Sequence, residues 1–229
     1  DAAIVQVLSG ATLDLGAYAD TVATLALAGT LNGTGTLTAA SYQLTGATVN
    51  ANLGTGVVLN LGGTSTLNGI AAGDVLVSGG TLVLGAAERL ADSALLEVAS
   101  GATLNLGTFS ETVAQATLFG TLAGSGLLTA ANYQLTGATI DANLGSGAVT
   151  VSGGTTRLNG TSAAANLQIV SGTLMLGASD RLADAADVTI ASGATLDLAS
   201  YADTINQLVS AGTLNGTGTL TAASYQLTG

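Results

Sequence analysis

Ala28–Gly46 reads AGTLNGTGTLTAASYQLTG, and the same nineteen letters return unchanged over Ala211–Gly229. Between them, Phe119–Gly137 reads FGTLAGSGLLTAANYQLTG, the same phrase with a few substitutions. Self-similarity on this scale is the mark of stacked repeats, so the chain declares an architecture before it declares a chemistry.

Outward from that phrase, three segments align: Asp1–Gly46, Asp92–Gly137 and Asp184–Gly229, each opening DAA or DSA and closing YQLTG. Two copies of a second unit, Ala47–Ala91 and Ala138–Ala183, lie between them, giving an A-B-A-B-A layout across one solenoid, 1–229. Tyr133 follows Tyr42 by 91 residues and Tyr225 follows Tyr133 by 92. One inserted residue near Ala163–Asn166 accounts for the difference and predicts a loop there.

Within each unit run short phrases punctuated by Gly, Asn-Gly or Ser-Gly. In ATLDL, Leu13 and Leu15 share one face while Thr12 and Asp14 share the other. The phrase returns with Leu104 and Leu106, and again with Leu196 and Leu198, so these six leucines are the expected interior. Alternation of period two is the signal of a half-buried strand. Glycine every few residues opposes long helices. Only Ala86–Leu96 and Ala178–Val188 are charged and free of interior Gly, and each reads as a turn of helix or a protruding corner. There Arg89 and Arg181 precede Asp92 and Asp184 by three residues, the spacing of a local ion pair.

A single coil of about 20 residues buries too little to offset its ordering entropy, whereas stacked coils cover one another's open edges. That argument selects an all-β fold, a right-handed parallel β-helix (β-solenoid) of roughly 11–12 coils and about 55 Å, the hand following the usual rule for parallel crossovers. One place resists the pattern. Val57, Leu59 and Leu61 alternate inward in the first copy, but Val149 and Val151 do so in the second, with opposite parity. One copy must carry a bulge or bury an odd residue, such as Asn60 in an amide stack.

Composition narrows function. The chain has 33 Gly, no Pro, Cys, His, Trp or Lys, three Arg, and a formal charge of −11. A polyanion so poor in cations has no footprint for nucleic acid or anionic membranes. No apolar run suggests membrane insertion. Absent Cys excludes a disulfide scaffold and an all-cysteine metal site, and the expectation is no cofactor and no metal. Asp14, Asp20, Asp197 and Asp203 recur as scaffold positions, replaced by Asn105 and Glu111 in the middle copy, which is not how a unique pair of catalytic carboxylates is placed. The expectation is that the chain is not an enzyme. GTGTLTA lacks the Asp of calcium-binding solenoid turns and the Lys of a phosphate loop.

The phrases GATLDLG, GTLVLGAAERLAD, LTAASYQLTGATVNANLG and TSTLNG resemble the repetitive shafts of bacterial filamentous-haemagglutinin-like adhesins of the two-partner secretion pathway, and they are similar to autotransporter passengers. The resemblance covers the whole chain. It implies a right-handed β-helix, export through an outer-membrane transporter to the bacterial cell surface, and a part in adhesion or biofilm cohesion. The implied partners are neighbouring repeats of a longer polypeptide and host or matrix glycans. No signal peptide, Asn-Pro secretion motif or anchor is visible, so the chain reads as a piece of a longer shaft.

Other readings attach to particular residues. Tyr18, Phe109 and Tyr201 recur at one wall position, where aromatic rings could stack on sugars as a glycan contact. Asn32, Asn159 and Asn215 open Asn-Gly-Thr sequons, which read first as turns. Thr34, Thr36 and Thr38, with Thr217, Thr219 and Thr221, suggest an ice-binding array, interrupted in the middle copy by Leu127 between Ser125 and Thr129. Neither Asp1–Gly10 nor Ser224–Gly229 reads as a cap, so end-to-end association is expected.

Overall fold

In the computed structural model the described residues are 3–228, and they form no helix. Asp1, Ala2 and Gly229 lie outside them, so the cap readings at Asp1–Gly10 and Ser224–Gly229 are tested only in part. Every pairing between strands is parallel. The chain is a parallel β-solenoid of about twelve turns, as the repeats require.

One column of inward side chains shows the winding. On the first face Val5 stands beneath Leu25, then Tyr42, Val58, Val75, Leu96 and Ala116. It continues through Tyr133, Val149, Leu167, Val188 and Leu208 to Tyr225. Successive steps of 20, 17, 16, 17 and 21 residues then recur as 20, 17, 16, 18 and 21. The long sequence repeat is therefore five coils. Twelve steps at about 4.8 Å make a rod of about 58 Å.

The second face carries the ATLDL strands, Thr12–Asp14, Thr103–Asn105 and Thr195–Asp197. Their leucines point inward because strand residues alternate and the Thr and Asp partners are better hydrated outside. Leu15, Leu104, Leu106, Leu196 and Leu198 are buried, while Leu13 in the first coil is half-buried against the core. The third face is shorter, with strands such as Asp20–Thr21, Thr36–Thr38 and Ser110–Thr112.

The inserted residue lies where the sequence puts it. Ser162 pairs with Leu144, and Leu167 with Val149, whereas Ala71 and Val75 stand one residue closer together in the first copy. The extra residue sits in the corner 163–165, outside any strand.

Two expectations are corrected. Val57, Leu59 and Leu61 are not the buried set: Val58 and Asn60 are, in phase with Val149 and Val151, and Leu61 is an extra residue at a bulge between Asn60 and Gly62. Asn60 belongs to no amide stack, since its column neighbours are Leu44 and Val77. Its Nδ2 donates to Gly79 O at 2.6 Å, and its Oδ1 has no partner. Nor does Arg89 pair locally with Asp92. Its guanidinium donates to the backbone carbonyls of Ala87 and Asn68, and Arg181 does the same to Ser179 and Asn159. Of the alternatives at Ala86–Leu96, the corner holds, with Glu88 in left-handed backbone at φ 52°.

Candidate functional site

The two charged corners are the most elaborated places on the rod. Each projects between the second and third faces and is gripped from the next coil by a carboxylate that points inward. Glu111 Oε2 accepts the Arg89 N–H at 2.8 Å and Oε1 the Leu90 N–H at 3.0 Å. In the next repeat Asp203 Oδ2 accepts both the Arg181 and Leu182 N–H groups, at 2.8 and 3.1 Å. The shorter Asp side chain serves two donors with one oxygen and spends Oδ1 on the Thr204 N–H. Both carboxylates are buried in positions whose column neighbours are Leu128 and Leu220. Burial pushes the Glu111 carboxyl up to about 7; the N–H bonds from Arg89 and Leu90 oppose that rise, and the Glu88 charge adds to it. Asp203 is raised as well, chiefly by burial.

The other recurring acids serve turns. Asp14 Oδ1 accepts the Gly16 N–H at 2.8 Å, Asn105 the Gly107 N–H at 2.8 Å, and Asp197 the Ala199 N–H at 2.7 Å. Asp20 Oδ1 accepts the N–H of its neighbour Thr21. Asx turns of this kind explain why Asp and Asn exchange freely at the same position. Among the described residues no three Asp, Glu, His or Cys side chains come together as a metal site.

Tyr18, Phe109 and Tyr201 are not brought together. Each follows a left-handed residue by two positions, Gly16, Gly107 and Ala199, and closes the turn with an N–H bond of about 3 Å to Leu15, Leu106 or Leu198. Tyr18 is 80% exposed, whereas Phe109 and Tyr201 are half-buried. Five coils, about 24 Å, separate one ring from the next.

The sequon asparagines form part of a polar ladder beside the second face. Asn50 Nδ2 donates to Asn32 Oδ1 at 2.8 Å, and Asn68 Nδ2 to Asn50 Oδ1 at 2.7 Å. Asn159 Nδ2 donates to Asp141 and Asn215 Nδ2 to Asp197. At Asn159 and Asn215 the nitrogen that would carry a glycan is already a ladder donor.

The alternative ice-binding row builds no regular array: Thr38 stacks on Thr21 of the preceding coil, but Thr36 stands over no threonine file. Thr36 and Thr38 do project outward, but the partner of Thr36 in the next coil is Asn52, and Gly54 follows above Thr38. A deeper threonine file exists elsewhere: Thr12, Thr30, Thr48 and Thr66 stack on the second face, as do Thr81, Thr103, Thr121 and Thr139 until Arg157 ends the file.

Pattern reading missed two sets of residues. The inward carboxylates were legible: Val22, Val113 and Ile205 are buried, and two positions earlier stand Asp20, Glu111 and Asp203 on the same parity. The second set is Tyr42 and Tyr133, fully buried with their hydroxyls built into a corner. Tyr133 Oη donates to Leu128 O at 2.7 Å and accepts the N–H groups of Ala130 and Gly145 at 2.8 and 3.0 Å.

Compared with known proteins, the chain matches no family model, no curated protein and no solved structure.

Proposed function

We propose that the chain is a shaft segment of a secreted bacterial surface filament, an adhesin spacer that holds other parts of a longer polypeptide at a distance. The observation that carries this reading is how the recurring polar groups are used. Glu111 and Asp203 hold backbone N–H groups, Asp14, Asn105 and Asp197 close turns, and the Arg89 and Arg181 guanidiniums bind carbonyls. Groups consumed by the scaffold and repeated every five coils suit a mechanical element better than a reaction centre. Under this reading the partners are adjoining repeats, and export runs through an outer-membrane transporter.

Excision of residues 47–137 tests it. The cut joins Gly46 to Ala138 and removes five whole coils, so every column stays in phase. A spacer keeps its melting temperature, shortens by about 24 Å in solution scattering, and, displayed beneath a reporter domain on cells, lowers that reporter by the same distance. A rod that unfolds, or a displayed reporter that does not move, removes the proposal.

A glycan-binding wall is the second reading, favoured by the exposure of Tyr18. Saturable binding on a glycan array, lost with Tyr18→Ala and Tyr201→Ala together, would select it over a pure spacer.

A further inference from the structure

The first and second repeats are near copies inside, yet their first faces differ outside. From Val57 in the first repeat to Leu95, which stands at the start of the second, the outward side chains of Val57, Leu59, Leu61, Leu76 and Leu95 are apolar. Val57 is 38% exposed, Leu61 49% and Leu95 54%. Ladder register identifies their counterparts five coils further on. Tyr42 pairs with Val58 as Tyr133 pairs with Val149, so Ala148, Thr150 and Ser152 replace Val57, Leu59 and Leu61. By the same register Gln168 replaces Leu76, and Asp187 replaces Leu95. These counterparts show that this fold has no need of leucine at these positions.

Two shallow grooves adjoin the strand Val57–Gly62. One of about 230 Å³ is lined by Val57, Leu76 and Leu95 together with Asp74 and Glu97. The other, about 130 Å³, lies against Leu61 and Leu8. Leu59 stands beside Leu76 in the ladder and Leu76 beside Glu97, so the apolar groups run diagonally between two carboxylates. Both charged groups lining the larger groove are acidic. Arg89 and Arg181 are bound to backbone carbonyls at the corners, and Arg157 lies on the second face against Asn159 and Met175.

We propose that this wall, from Val57 to Glu97, is a docking surface for a basic amphipathic polypeptide, one that offers apolar side chains to the leucine diagonal and Lys or Arg to Asp74 and Glu97. Contiguous exposed apolar surface with a polar rim marks an interaction site. The acidic rim on a chain of charge −11 repels acidic partners and favours cationic ones. The inference is independent of the spacer reading, because a spacer gains nothing from a leucine cluster whose counterparts five coils on are Thr, Gln and Asp.

The same counterparts supply the test variants. Leu59→Thr, Leu76→Gln and Leu95→Asp, made together in the full chain, install residues that the same fold already carries five coils away. A fluorescent amphipathic peptide of Leu and Lys is titrated against both proteins, with a Leu and Glu peptide of the same pattern as control. The expected result is saturable binding of the Leu/Lys peptide, at least about tenfold weaker in the triple variant even though Leu95→Asp adds negative charge. Asp74→Asn with Glu97→Thr weakens binding too and flattens its salt dependence. Equal binding to wild type and triple variant would mean that only the overall charge attracts the peptide, and would overturn the proposal. So would equal binding of the two peptides, or none. If the wild-type chain instead forms a dimer that the triple variant dissolves while the peptide stays unbound, the occupant is a second copy and the proposal fails.

Discussion

Glu111 holds Arg89 by its backbone: the carboxylate accepts the Arg89 N–H at 2.8 Å, while the guanidinium turns to the carbonyls of Ala87 and Asn68. The carboxylate is thus a structural clamp without a counter-ion, and such a group is expensive to keep ionised when buried.

Stability should therefore depend on pH in an unusual direction. The folded-state value of Glu111, about 7, lies above its ordinary 4.5, so folding favours the neutral acid. Its contribution is full below pH 4.5 and is lost as pH rises through 7. The loss is on the order of 3 kcal/mol from this group, with Asp203 acting in the same sense. Denaturant unfolding at pH 4.5 and 7.5, for wild type and Glu111→Gln, measures it. The variant should lose the share of the pH dependence that Glu111 supplies and keep that of Asp203; an unchanged slope would mean that the Glu111 carboxyl titrates normally.

Tyr133 and Tyr225 make equivalent bonds at different burial. Tyr133 is fully buried, whereas Tyr225 is 52% exposed with its hydroxyl on Leu220 O and the Ala222 N–H. Tyr133→Phe strands the Ala130 N–H in the interior, while Leu128 O and the Gly145 N–H keep their bond to each other at 2.8 Å, and should cost about 1–3 kcal/mol. Tyr225→Phe leaves its partners within reach of water and should cost under about 1 kcal/mol. Comparable losses in thermal unfolding would contradict this ranking.

Asn60 offers the opposite case. Its unpartnered Oδ1 sits in a column with Leu44 and Val77, and Val151 fills the equivalent place five coils on. Asn60→Val should stabilise the rod by about 1–2 kcal/mol, read as a rise in unfolding midpoint without a change in slope.

Ala199 holds a backbone φ of 52° where the other copies have Gly16 at 57° and Gly107 at 59°. A left-handed alanine costs about 1–2 kcal/mol, partly offset by the smaller entropy its unfolded chain loses. Ala199→Gly should gain about 0.5–1 kcal/mol. A loss of stability on that substitution would show that the turn is not strained.

How much was legible follows from what each signal depends on. Leu104 and Leu196 could be placed because alternation within a strand is local, and the neighbouring Thr and Asn or Asp fix the parity. Val57–Leu61 could not, because the bulge at Leu61 is set by pairing with Thr45 in the preceding coil, which local alternation does not encode. Glu111 was legible as a scaffold position but not as an inward one, because a charge on that parity contradicts hydropathy, and only the returning N–H groups of Arg89 and Leu90 make it tolerable. At Tyr18, Phe109 and Tyr201 recurrence was read correctly as a shared position. The sequence had no means of saying that five coils of wall would lie between the rings.

The residue added between Ser162 and Leu167 has one more implication. The ladder on either side keeps its columns, so this corner has already absorbed a change of length without shifting the rungs around it. The molecule counts rungs, not residues, and the corner at 163–165 is a ready port for grafted sequence. A foreign loop or small domain spliced there would ride on the outside of the rod, at a height fixed by the coils beneath it.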